Sequence, residues 1–229
     1  MKHPFIWNFY AKAYDVINEN VPYLKMLNEV IKEMELKGNS KILDAGCGTG
    51  NLIKKIDKIA FNSQIIGIDS SNEMLNRAKR KFLASPNITF KLVDLNKRLN
   101  FSGNSFDRIV SINTLYALDV PEKIISEFYR LLKSQGKLIF ANPHNKAELS
   151  TIFREQLKEL GLAKFIFRFL LNLPSLLVII IVNIFFLKKN KNYWSEKEAE
   201  GILLKNNFQN IKIEYTYANQ NLLVSAIKT

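Results

Sequence analysis

Residues 42–51 read ILDAGCGTGN: a short apolar run, an acid, then three glycines at alternate positions in a chain that has only nine. Without a Cβ, glycine takes positive φ readily and lets the backbone approach a ligand closely, and a helix that follows offers free N–H groups. A dinucleotide fingerprint, GxGxxG, starting at Gly46 would need glycine at 51. Asn51 stands there, and the pattern is GxGxG behind Asp44. An acid at that place repels a pyrophosphate and suits a ligand bearing an ammonium group. The spacing counts against an NAD-dependent oxidoreductase. QIIGID ends at Asp69, where a carboxylate can accept both hydroxyls of a ribose. ITFKLVD ends at Asp94, which can accept from an exocyclic amine such as that of adenine. Together the three acids describe a ligand with a cationic amino-acid end, a ribose and a base. Singly, each has a plainer reading: Asp44 as a turn cap, Asp69 as the N-cap of the SNEML helix.

The elements that must position these acids follow from periodicity. YLKMLNEVIKEMEL (23–36) has helical spacing at Leu24, Leu27, Ile31 and Met34 and ends at Lys37-Gly38-Asn39-Ser40. Then come KILDA as strand, the glycine turn, NLIKKIDKIA as helix, QIIGID as strand, SNEMLNRAKRKFLA as helix and ITFKLVD as strand. FDRIVSINT, PEKIISEFYRLLK and GKLIFANP continue as strand, helix and strand, and SEKEAEGILLKNNF is a last helix. IKIEYTYANQNLLVSAIK reads as two strands around Ala-Asn-Gln-Asn, a turn short enough to make them antiparallel. The alternation predicts a doubly wound, mostly parallel α/β sheet of seven strands. Length predicts a single domain over 1–229, with N-terminal helices in 1–37.

Five segments in order, ILDAGCGTGN, GIDSSNEML, LVDLN, FDRIVSINTLYAL and LLKSQGKLIF, resemble the successive motifs of class I S-adenosylmethionine-dependent methyltransferases. With the opening FYAKAYDVI, the layout is most similar to the ubiquinone/menaquinone-type small-molecule enzymes. The resemblance covers about residues 8–144 and, more weakly, 193–229. It implies the Rossmann-like methyltransferase fold, S-adenosylmethionine as cofactor and S-adenosylhomocysteine as product. By the same resemblance Asp44, Gly46 and the backbone around Cys47 and Gly48 hold the methionine portion. Asp69 binds the ribose, Ser70 and Met74 flank the adenine, and Asp94 with the N–H of Leu95 reads its edge. Asn113 contacts the methionine end, and Tyr14 closes over the cofactor. Tyr10 and Tyr14, four apart on a helix, also suit plain packing.

For the acceptor side the residues say less. His144, after the fifth strand in FANPHN, is a candidate base or a polar loop residue, and Tyr116 and Asp119 are further candidates. With His3 and His144 the only histidines and no ligand-spaced cluster, no metal is expected. Cys47 is the only cysteine, so no intrachain disulfide forms and a reducing, cytoplasmic setting is expected; the first fifteen residues have no secretory h-region. The net charge of +12 comes from lysines spread along the chain, which reads as a solvated surface rather than a nucleic-acid face.

The main departure from the family pattern is an apolar helical insertion at 145–192, after the fifth strand. Within it Phe169–Leu187 carries no charge, and KKNKN follows. The length admits a membrane span. Against a span, Asn172, Pro174 and Asn183 interrupt the run and the chain must return to the same sheet. Two compatible readings remain: a lid that buries its apolar face over the pocket, or peripheral membrane contact through 163–191, with Lys164, Arg168, Lys188, Lys189 and Lys191 at anionic headgroups. Either makes a small lipophilic acceptor, methylated at oxygen or carbon, the expected substrate. The rival from another class is a non-catalytic cofactor-binding or membrane-associated protein of the same fold.

Overall fold

The computed structural model describes residues 10–11, 13–36, 38–60, 62–146, 148–185 and 192–229; His3, Lys188, Lys189 and Lys191 lie outside them. A short helical stretch and a 3-10 turn (Asp15–Glu19) lead into α1 (Val21–Met34). Asn20 starts α1 by accepting from the Tyr23 N–H, and Glu35 in the left-handed region ends it. The order then runs β1 (Lys41–Ala45), α2 (Asn51–Ile56), β2 (Gln64–Asp69), α3 (Asn72–Lys81), β3 (Ile88–Leu92), β4 (Phe106–Ile112), α4 (Pro121–Leu131) and β5 (Leu132–Pro143). After α5 (Leu149–Leu160) and α6 (Leu162–Phe185) come α7 (Glu196–Lys205), β6 (Phe208–Thr216) and β7 (Asn221–Lys228). A Ser195/Glu198 capping box begins α7.

The seven strands lie in the order β3-β2-β1-β4-β5-β7-β6. The first five are parallel, while β7 runs antiparallel to both β5 and β6. This is the doubly wound, mostly parallel sheet that the alternation predicted. Its core is split by the period-two alternation of strand side chains. Leu43, Ile109, Leu138 and Phe140 pack with Phe128 of α4 and Leu203 of α7 on one face. Ile42, Val110 and Ile139 pack with Met26 and Val30 of α1 and Ile53 of α2 on the other. Burying each such side chain contributes about 1.5–3 kcal/mol, which holds the strand tips in register. Order reverses at β1, with β2 on one side and β4 on the other. A ligand crevice is expected beyond the carboxyl ends there.

Several element ends depart from the sequence reading: β5 begins at Leu132, inside the segment read as helix, and β3 stops at Leu92, short of Asp94. Helix α2 stops after six residues, well short of NLIKKIDKIA. The β6–β7 turn sits one residue earlier than Ala-Asn-Gln-Asn, with Tyr217, Ala218 and Asn219 all at positive φ and the Gln220 N–H donating to the Tyr217 carbonyl. Finally, α6 runs straight through Pro174. Proline removes one helical N–H, and just upstream Asn172 Nδ2 donates to the Arg168 carbonyl at 2.9 Å, adding a side-chain bond to that turn.

Candidate active site

The glycine loop is held from beneath by β2. The N–H groups of Gly46 and Cys47 both donate to the Ile68 carbonyl, at 2.8 and 3.0 Å. Gly46, Gly48 and Gly50 all have positive φ. A Cβ on Gly46 would lie 2.1 Å from Thr114 Oγ1, so β4's end occupies the space a side chain would need. A Cβ on Gly48 would meet only Tyr14 Cε1, at 3.6 Å. The loop is therefore packed against protein at Gly46 and open at Gly48, with Tyr14 above it.

The acids at the first two tips come together. Asp69 is buried: Oδ2 accepts from the Gly48 N–H at 2.9 Å and Oδ1 from the Ser71 N–H at 2.8 Å. The N-cap of α3 is Ser71, whose hydroxyl accepts from the Met74 N–H, so the plainer reading of Asp69 as that cap does not hold. Asp44 is 2% exposed and makes no hydrogen bond or ion pair among the described residues, so it is no turn cap either. Burial first, and then the charge of Asp69, push its carboxyl up to about 8. Burial likewise raises Asp69, against the N–H groups that it accepts. A buried carboxylate without a cation is costly, and it is the place where a ligand's ammonium would be held. Nδ2 of Asn51, buried at the other side of the loop, has no hydrogen-bond partner among the described residues and is a donor suited to a ligand carboxylate. These groups fit S-adenosylmethionine, whose amino-acid end carries both charges.

Asp94, half-buried beyond β3, accepts through Oδ1 from the backbone and side-chain N–H groups of Asn96. Leu95 is buried in the core beneath, and Ser70 is half-buried beside Asp69. Met74, on the first turn of α3, packs against Tyr10 and Ala11. Cys47 is buried, and desolvation, then Asp44 and Asp69, push its thiol well above the ordinary range, so it stays a thiol.

Asn113 sits at positive φ, a conformation Asn tolerates. Its N–H donates to the Ala141 carbonyl, and its Oδ1 accepts from Asn221 Nδ2 at 2.7 Å, so the side chain ties β4 to β7. His144 is half-buried, its ring against that of Tyr215, and its Nε2 lies 2.9 Å from the Asn219 carbonyl, which can only accept. Nε2 therefore carries the proton and braces the β6–β7 turn. The structure offers no base at that atom. Tyr116 is buried in a 3-10 turn; desolvation first, then Tyr10, Tyr193 and Tyr217, raise its hydroxyl, so it remains a neutral donor. Asp119 is exposed, its N–H donating to Asn96 Oδ1.

Sequence reasoning missed several contributors that only the tertiary fold brings here. Tyr23 of α1, its hydroxyl pushed up to about 12 by burial, lies by Tyr14 and Asn51, and its ring meets Tyr217 edge-on. Thr49 Oγ1 donates to Asp15, and Lys81 Nζ donates to both Asp15 and the Thr49 carbonyl, so a clasp binds the N-terminal segment across the loop. The insertion, an arm made of α5 and α6, reaches the same segment. Val178 and Ile179 of α6 pack against the cluster of Tyr10, Ala11 and Met74, as does Tyr14, so the insertion meets the N-terminal segment there.

The chain matches a family model described as a methyltransferase domain over residues 36–211. It is 31% identical over 142 residues to the demethylmenaquinone methyltransferase of Leptospira interrogans, covering 58% of this chain and 57% of that protein. It is 30% identical over 162 residues to the malonyl-[acyl-carrier protein] O-methyltransferase of Halalkalibacterium halodurans, covering 66% and 59%. The chain thus spans somewhat over half the length of the curated relatives it matches. Phosphoethanolamine N-methyltransferase 2 of Haemonchus contortus, solved with S-adenosyl-L-methionine, superposes with a TM-score of 0.67 at 18% identity, over 95% of this chain and 56% of that one. That likeness is one of fold.

Proposed function

Because the chain belongs to the methyltransferase domain family, we propose that it transfers the methyl group of S-adenosylmethionine to a small lipophilic acceptor, at oxygen or carbon. The observation that carries this reading is the buried, unpaired Asp44 carboxylate beside Asp69, with Asp94 at the next strand tip. When bound, the sulfonium supplies an already activated methyl group. What remains for the protein is alignment, desolvation and exclusion of water. Asp44 holds the ammonium, Asp69 the ribose hydroxyls and Asp94 the adenine amine, while Met74 and Tyr14 shield the site. Tyr116, kept neutral by burial, can donate a hydrogen bond to an acceptor oxygen.

Support for the acceptor class is an apolar neighbour: Val178 and Ile179 come from an apolar helix and pack against Tyr10, Ala11 and Met74. Two relatives whose names specify demethylmenaquinone and malonyl-acyl-carrier substrates are in keeping with it. Isothermal titration tests the donor half. Heat from S-adenosylhomocysteine and none from NAD is expected, and binding of NAD alone overturns the reading. For the acceptor half, label from the cofactor should appear in the organic phase of cell extracts incubated with the protein. Label confined to water-soluble products would remove the lipophilic acceptor.

A further inference from the structure

We infer that the outward face of α6 is a docking surface for an anionic lipid bilayer, holding the mouth of the site at the membrane so that its acceptor enters from lipid; the second clause rests on the function proposed above. Helix α6 has 24 residues, roughly 36 Å of helix. Ile166, Phe167, Leu170, Leu171, Leu177 and Ile181 recur at three-, four- and seven-residue intervals along one side and are all exposed, Phe167 at 68%, Leu171 at 64% and Leu170 at 62%. Single exposed leucines are ordinary, but a continuous apolar face of this length is not.

Elsewhere the helix is partly covered, by an aromatic seam at its start and, one heptad beyond Leu171, at Val178. Phe165 and Phe169 stack with each other and meet Phe153 of α5 edge-on. Val178 and Ile179 sit on the N-terminal segment. Helix α5 is fixed in turn to α1, where Gln156 Oε1 accepts from the Val21 N–H and Lys25 pairs with Glu159. The chain then returns to lay β6 and β7 into the same sheet. By length and composition Leu162–Ile179 would suffice for a span, but a chain that leaves one sheet and returns to it is better served by a helix lying along the bilayer surface.

Charge selects the occupant. From Leu160 to Ser195 there is no Asp or Glu, in a chain that has 21. That stretch contains Lys164, Arg168 and the sequence KKNKN. A second copy docking on this face would bring like charges together. Anionic headgroups complement them, each basic residue near the surface contributing on the order of 1 kcal/mol.

The experiment is co-sedimentation of the full chain with phosphatidylcholine vesicles, with and without phosphatidylglycerol, in parallel with titration of S-adenosylhomocysteine. We expect sedimentation with the anionic vesicles, weakened by salt. The triple variant Phe167→Ser, Leu170→Ser, Leu171→Ser should lose it by roughly tenfold or more, since apolar burial and headgroup attraction act together. Lys164→Glu should lower it by about fivefold. Both variants should bind S-adenosylhomocysteine like the parent, which shows that they are folded. Equal sedimentation of parent and triple variant overturns the proposal. So does a parent that ignores both vesicles and self-associates, with the triple variant monomeric, which would make this face a contact between copies. A parent that binds anionic vesicles but not S-adenosylhomocysteine refutes the proposed activity and leaves the docking surface standing.

Discussion

At the cofactor end, the backbone of Gly46, Cys47 and Gly48 is pinned to β2 by hydrogen bonds, and Asp69 satisfies two N–H groups at once. On the arm, α6 turns its apolar side chains to solvent and is held only by an aromatic seam and its inner end. One region is specified by directional bonds at short range, the other by a surface with no directional demands. The difference teaches where specificity resides. A polar cradle tolerates almost no change, because each buried group needs its partner, whereas an apolar face tolerates any change that keeps it apolar.

The sharpest way to break that contrast is Gly46→Ala. The new methyl would clash with Thr114 in a backbone with positive φ, costing about 3 kcal/mol or more. Chemical denaturation should show that loss, with no binding of S-adenosylhomocysteine. Gly48→Ala, meeting only Tyr14, should keep the fold at a cost of about 1–2 kcal/mol. Equal losses from the two would mean that the loop is not packed at one glycine and open at the other. Next in size is Asp69→Ala, which strands the Gly48 and Ser71 N–H groups. Titration should find affinity for S-adenosylhomocysteine reduced by about a hundredfold.

The third probe is pH. With Asp44 raised to about 8 by burial, the ligand-free folded chain keeps this proton across a range where the unfolded chain has lost it. Its contribution to stability therefore falls as pH rises from about 4 to about 8. An ammonium ligand needs the ionised form, so affinity for S-adenosylhomocysteine should strengthen by up to about tenfold per pH unit between 6 and 8. Asp44→Asn should flatten that profile, and a profile unchanged by the substitution would remove Asp44 from the ammonium site. Smallest of all, Leu170→Ser on the bare face should alter stability by less than about 0.5 kcal/mol in thermal melts. A larger loss would show that α6 is packed as a lid along its length.

Much of the cofactor end was legible because its determinants are local. Glycines at alternate positions, an acid at or just beyond the tip of each of three strands and a switch of hydrophobic period can all be read from neighbouring residues. Tyr23 and Tyr217 were not legible, since α1 and the β6–β7 turn reach the loop only after the sheet has formed. Nor could Asn113 be placed. Its partner Asn221 is 108 positions away, and that bond ties its side chain to β7. The Tyr217–Asn219 turn escaped because left-handed backbone is usually announced by glycine, and none is present. Nor could the contacts of α6 with the N-terminal segment through Val178 and Ile179 be read, because period and hydropathy say that a helix is apolar without saying what covers it.

The place of β7 between β5 and β6 has a consequence in time. Along Lys137–Pro143, β5 pairs with residues that follow it in the chain by about eighty positions. On a ribosome adding residues from one end, the arm emerges while that edge of β5 is still bare and the sheet unfinished. Apolar helix and open strand edge, two features prone to association, are thus exposed together until the last hairpin arrives. The order of synthesis leaves this chain a window in which its most apolar helix must be kept from association before the sheet is closed.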